Sequence, residues 1–286
     1  MLSMVLFPIG QRPLDLQCPH ASKQAKRTRG HSSWNYYYGQ AMKKNVLLIW
    51  TLVAAFALTP LIVIMCLEAP KREPGFVQIF HGNDLGGWDG DPNFWRAENG
   101  ILIGETTDAK KLEHSTYILW KKRKTEDFEL KVDFRLDGGN SGIQYRSVEG
   151  EGGRWAEAKG YQADLDAEDQ WSGVLYECGL RTFLALRGQK VAIEKDGTSK
   201  IVGTIGDPEE LKKKIHQKDW NEYHIIARGD HLIHLINGQV MVDVRDEMST
   251  RIKAGYLGFQ LHQGPPMKIE FKNIHLKELS QTPNGK

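Results

Sequence analysis

The chain has 286 residues, 26% of them charged, and a net charge of +2. That length holds one large domain plus extras, and the balanced charge, with no basic recognition helix, argues against a nucleic-acid partner. Three cysteines, Cys18, Cys66 and Cys178, form no C-x-x-C, and no H-E-x-x-H occurs, which argues against a structural zinc site or a zincin.

Residues 1–45 read as a cytoplasmic or unstructured extension. Residues 46–67, VLLIWTLVAAFALTPLIVIMCL, carry no charge and are long enough to span a bilayer. Lys43 and Lys44 stand directly before them, so the positive-inside bias directs everything after Leu67 out of the cytoplasm. The expectation is a single-pass protein of the cell membrane, its domain periplasmic or external. The alternative is a cleaved signal peptide starting near Met42 and a secreted protein. Against cleavage, Ala69 is followed by Pro70, and Met65 stands where a lipoprotein site at Cys66 needs a small residue.

Residues 68–75 are a charged linker, and 76–280 are the domain, with a tail at 281–286. Phe76 to Phe80 opens the domain as a strand. Trp95 to Ile103 is a hairpin around Asn99-Gly100, followed by short strands at Tyr117 to Trp120 and Phe128 to Leu136. Leu175 to Leu186 and Gln189 to Glu194 are further strands. Asp207-Pro208-Glu209-Glu210 starts the one clear helix, running to about His216, with Asp as N-cap and acids near the positive end of the dipole. Tyr223 to Ala227, His231 to Ile236 and Gln239 to Val244 form a meander, and Gly255 to His262 and Lys268 to Leu279 close the sheets. Many short strands with almost no helix predict an all-β sandwich. On a strand the His231–His234 spacing sends the two rings to opposite faces, which rules against a shared metal.

Three segments alternate strictly: Asn140 to Arg146, Gly160 to Asp166 and Gly258 to His262. Ile143, Tyr145, Tyr161, Ala163, Phe259 and Leu261 fall on one face. Gln144, Arg146, Gln162, Asp164, Asp166, Gln260 and His262 fall on the other. A solvated face tends towards Lys, Glu and Thr. This one is rich in groups that hydrogen-bond a polar ligand, and the expectation is that they line one concave surface.

These segments belong to an ordered series. F-x-L-x-V-x-F-R-L (Phe128 to Leu136) and N-S-G-I-x-Y-R (Asn140 to Arg146) precede G-Y-Q-A-D-L-D (Gly160 to Asp166) and G-x-L-Y-E (Gly173 to Glu177). W-N-E-Y (Trp220 to Tyr223), I-N-G-Q (Ile236 to Gln239), G-x-L-G-F-Q-L-H (Gly255 to His262) and F-K-N-I-H-L-K-E-L (Phe271 to Leu279) follow. Over roughly Phe76 to Leu279 the chain resembles the bacterial 3-keto-disaccharide hydrolase domain family. The resemblance implies a concanavalin-like jelly roll, a fold shared with non-catalytic lectin and laminin-G modules, so fold alone does not separate enzyme from carbohydrate-binding module. The chain departs from the family in one place. Many members read Tyr-Glu-Val-Gln where Tyr161-Gln162-Ala163-Asp164 stands, exchanging acid and amide on one face.

The resemblance also implies a chemistry. A 3-keto sugar has an acidic proton at C2; its removal expels the C1 oxygen by elimination, and water adds to the enone. Asp164 and His262 are the candidate bases. Glu177, preferred over Tyr176 on their strand, is a third catalytic candidate. Gln144, Arg146, Gln162 and Gln260 are candidate binding groups, with Arg146 on the developing enolate. Trp171 and Trp155 are candidate stacking platforms in flanking loops. The E-x-D-x-x-E signature of jelly-roll glucanases is absent. No cofactor is expected, although a divalent metal on the concave face, acting as a Lewis acid, is an open alternative. Asp164, Asp166, Glu168 and Asp169 do not fit an EF-hand, since the loop's sixth position is not glycine.

Overall fold

The run Phe128–Asp137 shows how this sequence makes its sheets. Phe128, Leu130, Val132, Phe134 and Leu136 are all buried, while Glu129, Lys131, Asp133 and Arg135 between them are half-buried. Alternation at period two turns one face inward, and each buried apolar side chain contributes about 1.5–3 kcal/mol. A computed structural model describes residues 73–279, apart from positions 151 and 157. The expected membrane segment at 46–67, the extension before it and the tail at 281–286 lie outside the described residues. Among the described residues no helix is long and apolar enough to cross a membrane.

The strands are β1 Val77–Gln78, β2 Trp88–Asp89, β3 Trp95–Glu98, β4 Ile101–Glu105, β5 Thr116–Thr125, β6 Phe128–Asp137, β7 Asn140–Val148 and β8 Lys159–Asp166. They continue with β9 Leu175–Cys178, β10 Thr182–Ala185, β11 Gln189–Ile193, β12 Ser199–Thr204, β13 Asn221–Arg228, β14 His231–Ile236, β15 Gln239–Asp246, β16 Gly255–Leu261 and β17 Lys268–Glu278. A short helix, α1 Pro208–Lys212, precedes β13. The larger sheet runs β12-β11-β15-β14-β13-β6-β17-β4-β3, with β1 paired to β17, and the smaller runs β10-β9-β8-β7-β16-β5-β2. The result is a nearly all-β sandwich of two sheets, consistent with a jelly roll.

Local signals account for several elements. Asn99 and Gly100 both have positive φ, 51° and 83°, the requirement of a tight hairpin turn between β3 and β4. The Asp207 carboxylate accepts from the N–H groups of Glu209 and Glu210, at 2.9 and 3.0 Å, and starts α1. The helix is shorter than expected and buries Leu211. The expected strand from Leu175 to Leu186 is two strands, because the chain turns at Gly179. β2 and β12 have no counterpart in the sequence reading: β2 has two residues, and β12 is exposed along almost its whole length and lacks alternation.

Between the sheets runs a polar seam. Tyr145 and Tyr161 stack at 5.3 Å on the smaller sheet's inner face. The His234 ring on β14 meets the Tyr145 hydroxyl at 3.0 Å through Nε2 and the Tyr223 hydroxyl at 3.1 Å through Nδ1. Tyr161 donates to Asp246 at 2.6 Å. His231, on the opposite face of the same strand, pairs with Asp243 at 2.7 Å. Full burial pushes the His234 pKa down to about 3. In the neutral ring one nitrogen accepts from a hydroxyl and the other donates to one, so both partners are satisfied.

His234 therefore stays neutral in the native state while the unfolded chain takes up a proton near the ordinary histidine value of 6.5. This group's contribution to stability is whole above that pH and erodes as pH falls from there towards 3. In a proton NMR titration from pH 8 to 4.5, the His234 ring signals should hold still.

Candidate functional site

The three alternating segments are neighbours in the smaller sheet, in the order β8-β7-β16, with β5 beyond. Their register sets the site. Asp164 faces Gly142, Gly142 faces Gln260, and Gln260 faces Tyr117, so these four form one row across four strands. Tyr176, Gln162, Gln144 and Gly258 form the next row. With strands about 4.8 Å apart, Asp164 and Gln260 stand two spacings from each other. The residue between them is a glycine, so the floor is hollow there. A Cβ at Gly142 would meet the Gln162 side chain, which occupies the hollow.

Over this floor lies a cleft of about 1240 Å³. Gln162, Asp164, Gln260 and Tyr117 line its base; Asn140, Asp166, His262 and Gln263 line one end; Lys159, Tyr176 and Cys178 line another side; Trp171 and Phe183 form a rim. Hydrogen bonds knit the base. Gln162 Nε2 donates to Asp164 Oδ1 at 2.5 Å, and Gln260 Nε2 donates to the Tyr117 hydroxyl at 2.6 Å. Gln144 Nε2 donates to Gln162 Oε1, and Ser147 Oγ donates to Gln144 Oε1 at 2.7 Å. This run of donors turns the Gln162 amide so that its N–H faces Asp164. Tyr117 also lies 3.4 Å from Cys178 Sγ.

Asp164 is 6% exposed, and burial raises its pKa to about 7; the charge of Asp166 adds to the rise and the Gln162 hydrogen bond opposes it. A carboxyl in that range is poised to exchange a proton near neutrality. His262 Nδ1 lies against the Gln263 carbonyl, which only accepts, so Nδ1 carries the proton and Nε2 is the basic nitrogen of the neutral ring. Trp171 is held by its loop. The Asp166 carboxylate accepts from the backbone N–H groups of Glu168, Gln170 and Trp171, at 3.2, 3.2 and 3.3 Å. Arg187, unnoticed in the sequence, donates to the carbonyls of Asp169, Ser172 and Pro208 around the same loop.

The structure thus brings Gln162, Asp164, Gln260, His262 and Trp171 to one cleft, and it leaves four other residues out of the cleft lining. Arg146 is not on the cleft face. It has φ of 46° at a bulge where the β7–β8 register shifts, which breaks the alternation and sends the guanidinium inward. There, 1% exposed, it donates to the carbonyls of Glu126 and Gly229 at 2.7 and 2.8 Å and to Asp127 at 3.1 Å. Glu177 also points inward, because it pairs with Tyr161, a core residue; Tyr176, paired with Gln162, faces the cleft instead. Glu177 and Asp246 share Arg181, whose guanidinium satisfies both buried carboxylates. Gln144 keeps the expected face but is completely buried beneath the floor. Trp155 turns to Asp89, donating from Nε1 at 2.8 Å.

Tyr117, Cys178 and Lys159 are among the cleft residues that sequence reasoning missed, and Tyr176 is the one it set aside for Glu177. Tyr117 and Tyr176 share parity with assigned residues on paired strands, which becomes visible only once the register is known. Among the described residues no group of three His, Cys, Asp or Glu side chains is placed to hold a metal ion.

The family model for the 3-keto-alpha-glucoside-1,2-lyase-like domain matches residues 75–277. No curated protein matches the chain at a significant level. Among solved structures, the chain is similar to a protein of Parabacteroides distasonis ATCC 8503 provisionally named a glycosyl hydrolase, with 21% identity, 72% of this chain and 95% of that one covered, and a TM-score of 0.48. A second such protein from the same organism has 18% identity, coverage of 71% and 99%, and a TM-score of 0.47. The carbohydrate-binding module CBM66 of Bacillus subtilis has 15% identity, coverage of 67% and 96%, and a TM-score of 0.44.

Two substitutions separate frame from site. Arg146→Met removes a buried cation from Asp127 and two carbonyls, and should cost about 3–5 kcal/mol in denaturant unfolding. Gly142→Ala should leave the fold intact but displace Gln162 from Asp164. Because that hydrogen bond lowers the carboxyl's pKa, its loss should move the Asp164 titration upward, as read by carboxyl carbon NMR.

Proposed function

The chain belongs to the 3-keto-alpha-glucoside-1,2-lyase-like domain family, and we propose that it cleaves 3-keto-glycosides by proton abstraction at C2, elimination and hydration. Membership supports a carbohydrate ligand. The observation that carries the finer reading is Asp164: an acid on the cleft floor, met by an amide rather than by a cation, with its pKa lifted to about 7. As carboxylate it takes the C2 proton, made acidic by the adjacent C3 carbonyl, and the C1–O bond breaks. The leaving oxygen takes its proton from water, and His262, with Nδ1–H held by the Gln263 carbonyl, offers Nε2 as the base that accepts a proton from the adding water. The enolate oxygen needs a donor set, and with Arg146 in the interior, the amides of Gln260, in Asp164's own row, and of Asn140, at the near end of the floor, are groups the cleft offers. Water then adds at C1, C2 regains a proton, and the net reaction consumes one water.

The rival reading, a carbohydrate-binding module, draws on the aromatic rim of Trp171 and Phe183. Loss of a base leaves binding intact in the enzyme, whereas loss of the rim dominates in a binder. We also place the domain outside the cytoplasm, tethered by residues 46–67, on the lysines that precede that uncharged run. Protease added to intact cells should then reach it.

Asp164→Asn should lower turnover of a 3-keto disaccharide by about two to four orders of magnitude, with KM little changed. In the unaltered protein kcat/KM should rise with pH through about 7, as Asp164 loses its proton. Reaction in deuterium oxide should place deuterium at C2. Cleavage of unoxidised glycosides only, or no label at C2, would sink the mechanism; binding without turnover would favour the rival.

A further inference from the structure

The cleft's polar floor ends at an apolar shelf. Phe183 on β10 lies 4.9 Å from the Trp171 ring and 5.2 Å from that of Tyr176, and all three line the cleft. Tyr176 pairs with Gln162, so the shelf begins one strand spacing from the residue that touches Asp164. Trp171 is also a wall of a second cavity, of about 340 Å³, bounded on its other sides by Leu186, Ile201 and Pro208 among others. The two hollows share Trp171 and its neighbour Gln170. Phe183 beside the cleft and Leu186 and Ile201 in the second cavity are 47%, 43% and 66% exposed, so apolar side chains stand open in both hollows.

The second cavity is poorly equipped for a sugar. A sugar ring needs convergent donors and acceptors. Here the buried Arg187 is committed to backbone carbonyls, Gln189 Oε1 accepts from the Leu186 N–H, and the Thr204 hydroxyl lies on the Gly188 carbonyl. The floor at Gln162, Asp164 and Gln260 has the opposite character. We infer that the two cavities form one substrate site of two chemistries: the sugar lies over the floor, and a flat apolar aglycone, such as an aromatic ring system, lies across Trp171 and Phe183 into the second cavity. This inference rests on the 3-keto-glycoside reading and narrows it, from glycosides of another sugar to glycosides of an apolar alcohol or phenol. The geometry fits that division, because the bond to be broken joins the two parts of such a substrate where the floor gives way to the shelf.

The test uses the full chain, a 3-keto-glucoside of 2-naphthol and a 3-keto disaccharide. The naphthyl substrate should show the higher kcat/KM. Phe183→Ser and Ile201→Ser, both at exposed positions, should each lower that value by about tenfold, the loss expected when part of a ring's apolar contact is removed. For Ile201→Ser, which lies outside the main cleft, the disaccharide's value should stay within about twofold. Equal losses on both substrates, or none on either, would overturn the inference while leaving the elimination chemistry standing. A change in oligomeric state on gel filtration, without a change in kcat/KM, would overturn it too, since the shelf would then be a contact between copies. If neither substrate is cleaved, binding of unoxidised 2-naphthyl glucoside is followed by tryptophan fluorescence. Binding that Phe183→Ser weakens about tenfold supports the aglycone shelf even as the catalytic reading fails; no such binding overturns both.

Discussion

The guanidinium of Arg146 is the fixed point of this fold. Its three acceptors come from the turn between β5 and β6 and the turn between β13 and β14, so one side chain of the smaller sheet fastens chain segments belonging to both sheets. The bulge that sends it inward is framed by glycines on both neighbouring strands. A Cβ at Gly160 would strike Ser147, and one at Gly255 would strike the backbone of Arg146 and Ser147. The neighbours can approach the bulge only because they lack side chains. Before it, from Asn140 to Tyr145, β7 pairs regularly with β8, and the row that places Asp164 against Gly142 and Gln260 lies in that stretch.

This arrangement sorts the carboxylates into two kinds. Glu177 and Asp246 are buried but share Arg181, and Asp246 also receives the Tyr161 hydroxyl, so their charge is matched. Asp166 is partly exposed and accepts backbone donors that shape the Trp171 loop. Asp164 has neither solvent nor cation to stabilise its charge, only one amide, and its proton is correspondingly held to near neutrality. Two acids on one strand, two residues apart, thus have different work because one sits at the strand's end and the other on its floor.

Much of this was legible in the sequence. Alternation identified β6, β7, β8 and β16 and the correct inner face of each up to Tyr145, and the shared parity of Gln162, Asp164, Gln260 and His262 anticipated their meeting in the cleft. What failed was parity wherever backbone irregularity or an unseen register decides it. Arg146 continues the pattern of Gln144 on paper, but one residue at positive φ ends that pattern. Glu177 and Tyr176 are indistinguishable until β9 is registered against β8, and the cue that the acid is internal, Arg181 with Asp246 beyond it, spans 65 residues. Tyr117 was visible as a strand residue, but its alliance with Gln260 is a contact across 143 positions of sequence.

The place of β17 has a consequence for how the domain comes into being. This strand, Lys268–Glu278, lies between β6 and β4 in the larger sheet and also carries β1. The strands that enter the sheet earliest in the chain are joined to the rest only through the strand that emerges last. On a ribosome, β3 and β4 can form their hairpin, and β6, β13 and β14 can assemble, yet the gap between them waits for residues nearly 200 positions after β1. Such closure is dominated by contacts distant in sequence and is intrinsically slow. The nascent chain therefore presents two unpaired strand edges until synthesis of the domain is essentially complete, and its folding is a single late event, not a progressive one.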